Sequence, residues 1–172
     1  MPLLTSLEHS AFCTWVRESG SLFAYPGILF LHTIGLAMLV GPNAAIDLRI
    51  LGVGSELSLS PMKNLLRIMW TGFWINAVTG SILLVSDAST KLANPAFIVK
   101  MALIALAVVD IFLIKRFVFS AASPEPRRVN SFGKTLAVVS LVLWTGAITA
   151  GRLMAYFGQD SGAPEFINRI GG

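Results

Sequence analysis

The stretch LFAYPGILFLHTIGLAMLVG, residues 22–41, holds twenty residues without one Asp, Glu, Lys or Arg, and sets a single imidazole, His32, in their midst. A hydrocarbon core about 30 Å thick takes roughly 20 mostly apolar helical residues to cross, so this stretch predicts a membrane-spanning helix. The following IDLRILG carries the helix on to about residue 51, where Gly52 and Gly54 supply a stop. Three further windows of the same kind follow at 64–86, 96–118 and 135–157. Ser60-Pro61 and Asn94-Pro95 each read as an N-cap with Pro at the first helical position, and Gly158 reads as a terminator.

Composition agrees with these windows. Of 172 residues, 55% are hydrophobic and 13% charged, against about 25% charged in an ordinary soluble domain; mean hydropathy is +0.74. The expected fold is therefore all-α: an integral membrane four-helix bundle forming one domain over 1–172, with short loops making successive helices antiparallel neighbours.

The first twenty residues read differently. Leu4, Leu7, Phe12, Trp15 and Val16 recur at helical spacing among Glu8, Arg17 and Glu18, which predicts an amphipathic helix lying in the headgroup region over 1–20. No basic segment followed by an apolar run and a small-residue cleavage site precedes it, so it does not read as a cleaved signal peptide. The tail 158–172, GQDSGAPEFINRIGG, is polar and reads as an exposed extension.

Lys and Arg give the orientation. Eight of them (Arg49, Lys63, Arg67, Lys115, Arg116, Arg127, Arg128 and Lys134) fall on the side of the first and third inter-helix regions, and five (Arg17, Lys91, Lys100, Arg152 and Arg169) on the other. The positive-inside rule then puts both termini outside, which is the periplasm for a protein of a Gram-negative inner membrane. The net charge of +4 follows from this topology, and no basic stripe interleaved with aromatics suggests nucleic acid. Cys13 stands alone, which excludes an internal disulfide or a CxxC centre. No P-loop, GxSxG or HExxH pattern occurs, so soluble-type catalysis has no foothold.

What remains are the ionisable groups inside the spans, each costing about 2.5–3.5 kcal/mol on insertion scales. His32 lies ten residues past Leu22, at about 15 Å depth and so near the midplane. Its readings are a structural hydrogen-bonder or a ligand to a metal or haem iron, with the other ring nitrogen satisfied by a carbonyl or hydroxyl. Lys100 and Arg152 sit at one level on the outer side, where they either snorkel to headgroups or pair with the propionates of an edge-on haem. Gly35, Gly72, Gly80 and Gly146 let either a flat macrocycle or a neighbouring helix come close, and Trp70, Phe73, Trp74 and Trp144 supply apolar walls. His9 is too shallow to be a second iron ligand, which leaves Met69, Met101, Met154, a partner chain, or five-coordinate iron. Asp110, in the inner half of the third span, is expected to pair with Arg67 or Arg49 and fix helix register. Asp47 and Arg49, two residues apart, do not face each other and are expected to mark the inner membrane surface.

Taken together, LHTIGLAMLVG with DLRILG shortly after, NPAFIVKMALI opening the third span and LWTGAITAGRLMAY closing the fourth resemble a bacterial family of small four-helix membrane proteins. More distantly the chain is similar to the haem-binding bundles of the cytochrome b561 and copper-resistance D type. The closer resemblance runs from about Glu8 to Tyr156. It implies a membrane-embedded haem b with His32 as ligand and Lys100 and Arg152 as propionate partners. The chain departs from the b561 pattern in having no histidine on the second, third or fourth span.

The leading expectation is thus an electron carrier rather than an enzyme. Its site would be His32, Lys100, Arg152, Gly35, Trp74, Met101 and Trp144, and it would exchange electrons with a quinol, a periplasmic cytochrome or a larger complex. The competing expectations are a non-redox scaffold or assembly subunit, alone or as a homo-oligomer, and a small proton-coupled transporter using His32 and Asp110.

Overall fold

The computed structural model describes residues 10–54, 56, 61–119 and 130–154, and every regular element among them is helical. In chain order these are α1 (Ala11–Glu18), α2 (Tyr25–Leu51), α3 (Leu65–Val85), α4 (Ala88–Ala93), α5 (Pro95–Ile114) and α6 (Ser131–Leu153). A 3₁₀ turn, Pro61–Asn64, leads into α3, and a π turn, Lys115–Phe119, prolongs α5. The segments Tyr25–Leu51, Met62–Val85, Pro95–Phe119 and Ser131–Leu153 are each long and apolar enough to cross a bilayer. The protein is a multi-pass all-α membrane bundle.

The cap chemistry explains the helix ends. α2 stops at Gly52, whose φ of +112° lies in the left-handed region that favours glycine. The Gly52 amide donates to the Arg49 carbonyl at 3.2 Å and the Val53 amide to the Leu48 carbonyl at 3.0 Å, the paired bonds of a Schellman ending. Asn94 opens α5 by accepting from the Ala96 amide at 2.9 Å, and its own amide donates to the Met154 carbonyl at 3.3 Å, tying the start of α5 to the end of α6. α6 begins at Ser131 rather than 135, because Asn130 caps it by accepting from the Gly133 amide at 2.9 Å. Polar first-turn residues hide that start from a hydropathy window. α6 ends at Leu153, and residues 155–172, including the expected helix end at 157 and the polar tail, lie outside the described residues. α4 was not foreseen; Lys91 holds it against α3 by donating to the Leu83 carbonyl and pairing with Asp87 at 3.7 Å.

The expected interfacial helix is present over Ala11–Glu18, capped by Ser10, while residues 1–9 lie outside the described set. Cys13 and Val16 are its buried face, and Phe12 and Trp15 are exposed. Arg17 on α1 donates to the Ser86 carbonyl at the end of α3 at 3.2 Å, which fixes α1 across that end of the bundle.

α2 packs along α3, α5 along α6, and α2 also touches α6. Trp70 of α3 meets Phe112 of α5 with ring centroids 5.5 Å apart, bringing the two outer helices together at that level. The tightest seam is between α2 and α3. An added Cβ on Gly72 would lie 2.7 Å from the Gly35 carbonyl oxygen and 2.7 Å from the Leu39 amide nitrogen; one on Gly35 would lie 2.9 Å from the Asn76 nitrogen. Only glycine allows backbones this close. Pro42 is accommodated inside α2 without ending it. The buried apolar core, including Leu39, Ile46, Ile50, Met69, Ile111 and Leu136, gathers where α2, α3, α5 and α6 converge. Large apolar side chains such as Phe30, Ile98, Leu106 and Val142 point outward, as lipid-facing positions must.

Candidate functional site

Two polar centres lie inside the spans. The outer one is built on the α2–α3 seam, seven residues past the start of α2 and so about 10 Å along it. Thr79 donates its hydroxyl proton to the Ile75 carbonyl at 2.6 Å, so its oxygen is left to accept from His32 Nδ1 at 3.0 Å. Asn76 closes the arrangement by donating to the His32 carbonyl at 2.8 Å. The His32 ring lies over Gly80, where an added Cβ would come within 3.1 Å of Cε1. Nδ1 therefore carries the proton and Nε2 keeps its lone pair.

Lys100 is half-buried and lies across α6 at Gly151, with Nζ 3.7 Å from where a Cβ there would stand. Arg152, one residue on from Gly151, is exposed. Of the other expected residues, Trp74 and Met101 are 64% and 47% exposed and face outward, and Trp144 is buried at 2% on α6. Gly35 and Gly72 contact the opposing helix instead of lining a slot. Of the residues named for haem, His32 has one feature that suits iron, a nitrogen lone pair opposite an oriented N–H; the glycine pair leaves no gap between α2 and α3 for a macrocycle. Met69 is buried, and His9 lies outside the described residues. Among the described residues no group of three or more His, Cys, Asp or Glu side chains is placed to hold a metal ion.

The inner centre is made by α2, α5 and α6. Asn43 and Asp47 are one turn apart on α2, and the Asn43 amide donates to Asp47 Oδ2 and to Ser140 Oγ of α6, both at 2.7 Å. Asp47 and Ser140 are 0% exposed, Asn43 3% and Asp110 4%. One oxygen of each carboxyl, Asp47 Oδ1 and Asp110 Oδ2, is buried with no hydrogen-bond partner among the described residues. The Trp144 indole nitrogen, one turn from Ser140 on α6, is buried and unpartnered in the same way.

Asp47 lies four residues from the end of α2, and its i, i+4 relation to Asn43 turns it inward against α6; Arg49, at 8% exposure, is buried too. The expected pairing of Asp110 with Arg67 is not formed among the described residues. The physical reason is the facing of α3: Arg67 is exposed and lines a cleft with Lys63 and Lys115 to which Asp110 does not contribute.

Asn43 and Ser140 were not singled out from the sequence. The signal was available for Asn43, since two polar residues at i and i+4 in an otherwise apolar helix share a face. A lone serine such as Ser140 gives none, because serine satisfies itself within a membrane helix as readily as across a seam.

No protein-family model, curated protein or solved structure matches this chain.

Proposed function

We propose that the protein is a proton-coupled membrane carrier whose exchanging group is the Asp47–Asp110 pair. The observation that supports this is two buried carboxyls, each with an oxygen that no described residue satisfies. A carboxylate held away from water with an unmet oxygen is costly, and a proton bound to it removes both the buried charge and the unmet acceptor. A centre meant only to hold helices together would use a fully satisfied network. Asn43 and Ser140 orient Asp47 and leave its Oδ1 for the proton. Asp47 lies four residues from the end of α2, about 6 Å, so the proton has a short route from the membrane surface where α2 ends. By the Lys/Arg bias that surface is cytoplasmic, with both termini periplasmic in a bacterial inner membrane.

Two measurements test the reading. Infrared difference spectra in light and heavy water are expected to contain the carbonyl stretch of a protonated carboxyl that disappears in Asp47→Asn or Asp110→Asn. Proteoliposomes under an imposed potential are expected to take up protons faster than empty vesicles, again dependent on both aspartates. If neither signal depends on either aspartate, the pair is structural and the reading fails.

A haem b electron carrier is the second reading, and one observation favours it: donation of His32 Nδ1–H to Thr79 leaves Nε2 in the form an iron ligand requires. A haem would supply one-electron chemistry for exchange with a quinol or redox protein, while Thr79 and Asn76 hold the imidazole and its helix in place. It would not lie between α2 and α3, whose backbones meet at Gly35 and Gly72. Protein purified in mild detergent from haem-replete cells would give a Soret band with sharp reduced bands, lost in His32→Ala. A colourless folded preparation removes this reading and leaves the first untouched.

A further inference from the structure

The cation-rich end of the bundle carries a feature that neither proposed centre uses. A cleft of about 790 Å³ opens between the start of α3 and the end of α5, and Lys63, Arg67 and Lys115 line it. All three side chains are exposed, and no acidic residue is among those that line the cleft among the described residues. Its walls are apolar: Leu66, Trp70 and Phe119. Trp70 is braced edge-on by Phe73 at 5.4 Å and by a tilted Phe112 ring at 5.5 Å, which hold the indole in the wall. Thr71 also lines the cleft, but its hydroxyl proton is donated to the Arg67 carbonyl at 3.0 Å, so the positive charge facing the cleft comes from Lys63, Arg67 and Lys115.

The local backbone suits this arrangement. α5 changes to a π turn at Lys115–Phe119, the kind of widened turn that is frequent at functional sites, and it is this turn that contributes Lys115 and Phe119 to the cleft. The cleft lies at a helix end of two membrane spans, the level of lipid headgroups. Cations above apolar walls at that level match a ligand that is anionic at one end and hydrocarbon at the other.

We propose that this cleft binds the headgroup of an anionic phospholipid, its phosphate held by Lys63, Arg67 and Lys115 and its first acyl carbons lying against Leu66, Trp70 and Phe119. The site selects lipids by charge and anchors the α3–α5 edge in the cation-rich leaflet.

The test is native mass spectrometry of the full chain in detergent with graded dioleoyl phosphatidylglycerol or dioleoyl phosphatidylcholine. The wild type is expected to retain one phosphatidylglycerol at least tenfold more tightly than phosphatidylcholine. Each neutralised cation near a membrane surface lowers affinity about fivefold, so K63Q/R67Q/K115Q is expected to lose roughly 100-fold. Arg67→Glu alone is expected to exceed the loss of Arg67→Gln. Arg116→Gln, which does not line the cleft, is expected to leave binding unchanged, and all variants are checked for wild-type helicity. Equal retention of the two lipids, or loss in Arg116→Gln as large as in the triple variant, overturns the proposal. Displacement of the lipid by millimolar inorganic phosphate without any acyl-chain dependence also overturns it, because the site would then be one for soluble phosphate.

Discussion

Replacing Gly72 by Ala puts one methyl group where two helix backbones already touch. Its Cβ would stand 2.7 Å from the Gly35 oxygen, 2.7 Å from the Leu39 nitrogen and 2.8 Å from the Met38 carbonyl carbon. None of these is the end of a flexible side chain, so α2 and α3 must move apart. Overpacking of this kind costs about 1–3 kcal/mol. The separation also stretches the Asn76–His32 bond of 2.8 Å and the His32–Thr79 bond of 3.0 Å, each worth about 0.6 kcal/mol across membrane helices. Against this, alanine is a better helix former than glycine by about 1 kcal/mol. The net expectation is a loss of about 1–3 kcal/mol, read as a lower midpoint in a reversible SDS-unfolding titration followed by circular dichroism. Gly41→Ala is the matched control, since nothing lies within 4 Å of a Cβ at that position; it is expected to be neutral or stabilising by up to about 1 kcal/mol. If Gly72→Ala proves as stable as Gly41→Ala, the close α2–α3 seam is not the packing this chain adopts.

Other expectations use the same titration. Asn43→Leu removes the donor to both Asp47 and Ser140 at 2.7 Å, and leaving those groups buried and unmatched is expected to cost about 2–4 kcal/mol; a change under 0.5 kcal/mol would mean the network is not formed. Thr79→Val keeps the shape but deletes the acceptor for His32 Nδ1, for an expected loss of about 1 kcal/mol, and in a haem-containing preparation it would also shift the redox midpoint. Asn94→Ala removes the α5 cap and the tie to Met154, with an expected cost of about 1 kcal/mol; no loss would show that the cap is dispensable. Asp110→Asn is expected to leave stability within about 1 kcal/mol of wild type, because it keeps the side chain's size while removing a buried charge whose Oδ2 has no hydrogen-bond partner among the described residues. A loss of several kcal/mol would restore the ion-pair reading of that residue.

The fold was legible because the solvent dictates it. A mostly apolar window of about twenty residues has one stable way to bury its backbone polar groups in hydrocarbon, which made the four spans readable from local pattern alone. The α2 stop at Gly52 and the α5 start at Asn94 were equally local, since cap geometry is a matter of a few neighbouring residues. The α6 start was missed because its cap, Asn130, precedes a polar first turn that hydropathy discounts.

The facing of each helix was not legible, and the polar centres depend on it. Spans this apolar carry little amphipathic signal: Asn43 and Asp47 mark one face of α2, but nothing along the chain says which helix that face meets or which side of α3 meets lipid. His32 was found because a histidine in hydrocarbon stands out by itself. The pairing of Asp110 with Arg67 is expected from distance along one axis, whereas contact depends on rotation about it. The sequence by itself determined that the chain crosses the membrane four times and where its costly groups lie in depth. Which of those groups meet, across seams that Gly35 and Gly72 draw tight, was decided only by the packing of the helices, because side-chain contacts between spans depend on rotations that hydrophobicity does not encode.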